Sequence, residues 1–154
     1  TVCRITKEKG LDVLFQALSF LKFKNYKLLI AGDGAEKLKL RKLSKKLNIS
    51  SKIKYLGFLN DIKPLLKISN LYVNASYFEG FPNSVVEAIN HGIPVICSQS
   101  HGGINDILLN GKCGTIFNNE NSFDLASKIE EYYNNPKKYL SKTRLAKKNI
   151  KSLP

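Results

Sequence analysis

Residues 1–154 read as one α/β domain, Rossmann-like, with a parallel sheet of about six strands flanked by helices. Three observations carry this reading. Short apolar runs alternate along the chain with stretches whose apolar residues recur every three to four positions. Two of the apolar runs close on glycine turns, at Gly32-Asp33-Gly34 and at Gly57-Phe58. No internal repeat or low-complexity linker divides the chain, and 43% hydrophobic residues suit a globular core.

The elements follow in order. Residues 1–5 form the first expected strand. Leu11, Leu14, Phe15, Leu18 and Leu21 then share one helical face. Residues 27–31 read as a buried strand, and Leu38, Leu40, Leu43 and Leu47 mark a basic helix after it. Residues 53–56 make the next strand, 61–67 a short helix and 71–75 another strand. Val85, Val86, Ala88 and Ile89 give an apolar helical face, stopped by Gly92 before Pro94. A strand over 94–97, a helix over 104–109 and a small strand over 112–116 come next. Residues 124–133 are helical, and Pro136 opens a last polar helix that fades by Pro154.

Bulk properties narrow the class. A chain of 154 residues has room for one domain with its own core. No apolar run approaches the ~20 residues of a membrane-spanning helix. No signal peptide is visible and there is no Met, so the chain is expected to be a piece of a longer protein. Cys3, Cys97 and Cys113 lack metal-ligand spacing and lie in or beside apolar strands, where free cysteines serve as small hydrophobes; this favours the reducing cytosol. Net charge is +13, concentrated in Lys37, Lys39, Arg41, Lys42, Lys45 and Lys46 and again in Lys137, Lys138, Lys142, Arg144, Lys147, Lys148 and Lys151. Solvated helix faces are the leading explanation and peripheral contact with an anionic membrane the next. Aromatics are not interleaved with these charges and no nucleic-acid motif occurs, so no nucleic-acid partner is expected.

The run from Glu79 to Glu87 is the strongest chemical signal. Two carboxylates stand eight positions apart around Gly80-Phe81-Pro82-Asn83. Pro82 suits the first helical position and Asn83 or Ser84 the cap, which puts Glu79 in a loop and Glu87 about one turn into a helix. Amides at a helix start take phosphates, and carboxylates take hydroxyls, so a nucleotide diphosphate sugar matches the layout. Arg4 and Lys9, at the end of the first strand, could hold a diphosphate and offset charge on its departure; Lys7 competes with Lys9. Gly32-Asp33-Gly34 lacks the full Gly-x-Gly-x-x-Gly of a dinucleotide site. His91 reads as a helix-end surface residue, and His101 sits in a loop at the expected ligand edge. No acidic cluster suggests a metal.

At these residues the chain resembles the retaining glycosyltransferases of family 4, which have the GT-B fold. Glu79 and Glu87 match the family's Glu-x7-Glu motif, followed by Gly-Ile-Pro-Val-Ile and the Gly102-Gly103 pair. The resemblance covers nearly the whole chain as the carboxy-terminal, nucleotide-sugar donor-binding domain, with the amino-terminal acceptor domain absent. It implies that Glu79 addresses the transferred sugar and Glu87 the ribose. The segment Cys3 to Gly10 resembles the family's Gly-Arg-…-Lys-Gly element, with Cys3 in place of Gly, so Arg4 and Lys9 would bind the pyrophosphate. Gly32 and Gly34 would lie near the nucleotide, and Gly57 and Phe58 would frame the base. Pro82 has no N–H, so the amides of Asn83, Ser84 and Val85 would serve the phosphate or sugar.

The implied activity is transfer of a hexose or N-acetylhexosamine, from a donor expected to be UDP-linked, to a glycan or lipid-linked acceptor. The setting would be synthesis of bacterial capsular polysaccharide or lipopolysaccharide, in the cytoplasm or at the inner face of the cytoplasmic membrane. No metal or further cofactor is implied. The isolated fragment should bind nucleotide and transfer little sugar, because the reacting groups meet between two halves. Alternatives are a related nucleotide-sugar epimerase and a non-catalytic nucleotide-binding module.

Overall fold

The computed structural model describes residues 1–153. Helix α1 (Leu11–Phe20) buries Leu11, Leu14, Phe15 and Leu18, the one-face spacing read from the sequence. Strand β1 (Leu28–Ala31) is followed by α2 (Lys37–Lys46), a 3-10 turn (Ser50–Lys52) and β2 (Ile53–Gly57). Helix α3 (Lys63–Lys67) leads to β3 (Tyr72–Asn74), then α4 (Asn83–Asn90) and β4 (Val95–Ser98). Helix α5 (Ile104–Leu108), β5 (Thr115–Phe117), α6 (Ser122–Asn134) and α7 (Pro136–Ile150) complete the order. All pairings between named strands are parallel, as helical crossovers require. The α/β class with parallel strands between helices is therefore as expected.

The strand count is not. Among the described residues five strands form two sheets, β1-β2 and β3-β4-β5, in place of one sheet of about six. Residues 1–5 track the free edge of β1: Cys3 N–H donates to the Ala31 carbonyl and Ala31 N–H to that of Thr1, both near 3 Å. Only Val2 and Ala31 form a bridge. On the other side Val2 N–H meets the Tyr72 hydroxyl, not the β3 backbone, so no ladder joins the sheets there. A side chain has taken a donor that a regular strand would give to its neighbour.

The strand period of two sorts the core into two faces. Val73, Ile96 and Phe117 pack with Leu14, Phe15, Leu18 and Leu125 of α1 and α6. Tyr72, Val95 and Cys97 face the other way, against Val85, Ile89, Ile104 and Ile107 of α4 and α5. Each such buried aliphatic contributes roughly 1.5–3 kcal/mol. Cys97 and Cys113 are buried, free members of the second face, and burial pushes the Cys97 thiol up. Leu38 departs from the expected face of α2 and is 73% exposed. Two residues from the buried Leu40, it is turned about 200° away around the helix. Helix α3 starts at Lys63, not 61, because Asp61 Oδ1 accepts from Lys63 N–H and forms a turn before it. Helix α7 begins at Pro136 as read; Pro154 lies outside the described residues.

Candidate functional site

A cleft of about 740 Å³ opens beside the start of α4, within the range of small-molecule sites. It takes residues from three stretches remote in sequence: residues 2–9, residues 59–63 and residues 79–87. Of the sequence-derived candidates, Arg4, Lys9, Glu79, Asn83, Ser84 and Glu87 line it. Gly32, Gly34, Gly57, Phe58 and Val85 do not.

The first stretch is held by backbone contacts. After the segment carrying Arg4, a 3-10 turn (Lys7–Lys9) closes on Gly10, whose φ of 64° suits glycine. A Cβ at Gly10 would stand 1.9 Å from the Ala75 carbonyl oxygen, so the turn presses against the chain leaving β3. Tyr77 N–H donates to the Glu8 carbonyl at 2.8 Å, and the Tyr77 hydroxyl donates to Asp12. Lys9 and Glu79 are thereby stitched together. Lys9 Nζ stands 3.3 Å from both Glu79 carboxylate oxygens, with each side chain about 15% exposed. Lys7 is exposed and outside the cleft lining.

Glu79 is also held from behind. Ser76 Oγ donates to its Oε2 at 2.9 Å and Asn74 Nδ2 at 3.3 Å. Asn74 and Ser76 are buried, and Asn74 Oδ1 accepts from Ser76 N–H. Oε2 thus carries three donors and Oε1 only Lys9, which leaves Oε1 the better acceptor for a ligand hydroxyl. The Gly102-Gly103 pair supports the same loop. Gly103 N–H donates to the Gly80 carbonyl, and a Cβ on Gly102 would fall 2.0 Å from the Glu79 carbonyl oxygen.

Helix α4 supplies the third wall. Glu87 is exposed and lines the cleft, with no side-chain partner among the described residues. The three expected amides differ. Asn83 N–H donates to the Phe81 carbonyl and Val85 N–H to that of Pro82; only the Ser84 N–H has no acceptor among the described residues. No side chain caps the helix, against the expectation for Asn83 or Ser84. The Ser84 hydroxyl instead meets Tyr72. That buried phenol lies 2.7 Å from Ser84 Oγ and 3.2 Å from both N and O of Val2. Burial pushes its pKa well above the usual tyrosine range, so it works as a neutral hydroxyl. It ties the Arg4 segment to α4. Tyr72→Phe should cost about 1–3 kcal/mol by leaving Val2 N–H without its partner, lowering the thermal midpoint by several degrees in calorimetry.

The glycines expected near a nucleotide have visible structural duties. A Cβ on Gly32 would stand 1.8 Å from the Cys3 carbonyl oxygen, and one on Gly34 2.3 Å from that of Ile5. They let residues 3–5 lie against the end of β1. Gly57 accepts from Gly32 N–H, and Phe58 is 78% exposed. His91 closes the end of α4 beside the Glu87 carbonyl, and His101 is exposed outside the cleft lining. Leu59, at the end of the loop after β2 that is expected at the ligand edge, begins a wall continued by Asn60, Asp61, Ile62 and Lys63, which no motif in the sequence marks. Their one signal was position, directly after a strand closed by Gly57. Asn74 is marked by no motif and Ser76 only by its place at the start of the loop leading to Ser84, although small polar residues at the end of a buried strand invite a search for their partner.

The family model for glycosyl transferases group 1 matches residues 1–151, so the chain belongs to this family. Among curated relatives it is 32% identical, over 79% of its length, to an N-acetylgalactosaminyltransferase of Campylobacter jejuni acting on a diphospho-undecaprenol-linked sugar; the match spans 34% of that protein. Among solved structures it superposes on the catalytic domain of the Helicobacter pylori cholesterol-α-glucosyltransferase with a TM-score of 0.87, 27% identity and coverage of 99% and 96%. The Anabaena protein HepE, solved with UDP-glucose, gives a TM-score of 0.88 at 25% identity, covering 95% of this chain and 41% of HepE. These neighbours are GT-B glycosyltransferases. The chain spans roughly a third of the length of the curated relatives that it matches, 26%, 38% and 34% of the first three.

Proposed function

We propose that residues 1–154 are the nucleotide-sugar donor-binding half of a retaining hexosyltransferase. One observation carries the reading: Glu79 and Glu87, the cations Arg4 and Lys9, and a Ser84 amide with no acceptor among the described residues meet in one cleft, with Asp61 and Lys63 on its far wall. Arg4 and Lys9 would neutralise the leaving diphosphate, with the Ser84 amide adding a donor at the positive end of α4. Glu87 would accept from ribose hydroxyls. Glu79, fixed through Oε2, would offer Oε1 to a sugar hydroxyl and orient the ring.

UDP-glucose in the Anabaena neighbour supports a UDP-linked donor, and the Campylobacter relative's name supports a lipid-linked acceptor. Other relatives are named for lipopolysaccharide core and O-antigen biosynthesis, which favours a surface polysaccharide as product. The acceptor would be bound by a preceding domain, at the cytoplasmic face of a membrane. Among the described residues no helix is long and apolar enough to cross one.

Calorimetric titration with UDP, GDP and ADP tests the reading. One nucleotide should bind saturably, and Arg4→Ala or Glu87→Ala should each weaken it about 10- to 100-fold, the worth of a charged hydrogen bond. Binding indifferent to both changes would reject the site.

A further inference from the structure

We infer that the open face of α7 is a docking surface for an anionic lipid bilayer. A solvated helix face usually mixes signs; this one does not. From Pro136 to Leu153 the chain carries six lysines, one arginine and no Asp or Glu. Tyr139, Thr143 and Ala146 turn inward, while Lys137, Leu140, Arg144, Leu145, Lys147 and Lys148 are exposed. Lys138 pairs with Glu131, and Lys142 donates to the carbonyls of Gly111 and Gly114. Lys137, Arg144, Lys147, Lys148 and Lys151 have no ion-pair partner among the described residues.

The two leucines decide between anionic partners. Leu140 is 40% exposed and Leu145 52%, and both sit among these cations. A duplex presents phosphates along its whole contact face but takes a leucine only within a groove, at a thymine methyl or an opened base step. Helix α7 has no exposed aromatic for a single strand to stack on. A bilayer with anionic headgroups offers both: charge at the surface and hydrocarbon just beneath.

Helix α2 provides the contrast within the molecule. It is equally rich in lysine and exposes Leu38, but Lys37 and Lys39 pair with Asp33 and Glu36, and Arg41 lies over the Tyr55 ring. That leaves three cations without a partner among the described residues, Lys42, Lys45 and Lys46, against five on α7 and its end. The inference does not depend on the nucleotide-sugar reading, because it uses no cleft residue.

Flotation of the 154-residue chain with vesicles tests it. The protein should float with mixed phosphatidylglycerol–phosphatidylcholine vesicles, stay behind with pure phosphatidylcholine, and release as salt rises. Each cation near such a surface is worth roughly fivefold in partition. The combined Arg144→Gln, Lys147→Gln, Lys148→Gln variant should therefore lose about 100-fold. The matched Lys42→Gln, Lys45→Gln, Lys46→Gln variant on α2 should float nearly as the parent does. Leu140→Ser with Leu145→Ser should lose several-fold at unchanged charge. All these positions are exposed, and unchanged thermal midpoints will confirm that each variant folds. The proposal is overturned by no flotation, by equal flotation with pure phosphatidylcholine, by equal losses from α2 and α7, by no loss from the leucine pair, or by a duplex bound more tightly than the vesicles at the same salt.

Discussion

A Gly32→Ala chain should melt well below the parent with no nucleotide present. The φ at Gly32 is +125°, a region that L side chains rarely enter. The added methyl would also stand 1.8 Å from the Cys3 carbonyl oxygen, far inside van der Waals contact. Neither strain can relax cheaply, because both groups are backbone. Residues 1–5 would have to leave β1, and with them Arg4 and the Tyr72 contact to Val2. The cost should be about 3 kcal/mol or more, against the roughly 5–15 kcal/mol that holds a domain of this kind folded. For a chain of this length that is a fall of about 6–12 °C in the calorimetric midpoint. Gly57→Ala is the control. Its φ is +69°, but a Cβ there meets nothing within 4 Å, so only about 1–2 kcal/mol of left-handed strain applies. If Gly32 serves only the approach of a ligand, the midpoint without nucleotide will not move and nucleotide affinity alone will fall.

That contrast shows what the sequence disclosed and what it withheld. Helix α1 was legible because Leu11, Leu14, Phe15 and Leu18 repeat at helical spacing, and that local pattern also decides burial. The alternation of apolar runs with helical patterns disclosed the parallel class for the same reason. The Glu79–Glu87 interval was legible as a loop carboxylate followed by a helical one, and both line the cleft. Contacts fixed by irregular backbone were not. Asn74 and Ser76 stand only five and three residues before Glu79, but a loop has no period to say that it folds back and brings the carboxylate over them. Likewise, Gly10, Gly32 and Gly34 read as turns, whereas their tightest contacts are to the backbones of Ala75, Cys3 and Ile5. Residues 1–5 do not form the expected strand because apolar character predicts burial, while a ladder needs a backbone neighbour, and Tyr72 takes that place beside Val2. At α4 the pattern located the helix but not its amides, since Phe81 and Pro82 offer carbonyls that claim two of the three.

Glu79→Gln and Lys9→Ala should shift UDP affinity in opposite directions, if the cleft is the donor site proposed above. The Lys9 ammonium is shared: at 3.3 Å from both carboxylate oxygens, it already has an anionic partner. A diphosphate must compete with Glu79 for it. Glutamine keeps the shape and still accepts from Ser76, but removes the competing charge. UDP should then bind up to about fivefold more tightly, the yield of roughly 1 kcal/mol from a half-screened pair. Lys9→Ala removes a charged donor and leaves the Glu79 carboxylate facing the phosphates, so UDP should weaken about 10- to 100-fold. The sugar adds a second, independent reading. Glu79→Gln should lose part of the affinity that UDP-glucose has beyond UDP, because an uncharged acceptor binds a sugar hydroxyl more weakly. Ser76→Ala should lose less, since it frees Oε2 from one donor without altering the charge. Calorimetric titration of the three variants with UDP and UDP-glucose gives all of these values on one scale. Parallel weakening of UDP by Glu79→Gln and Lys9→Ala, with thermal midpoints intact, would mean that Glu79 contacts the nucleotide directly and that Lys9 is not contested. The ion pair would then be part of the binding surface, and not a clasp that the donor has to open.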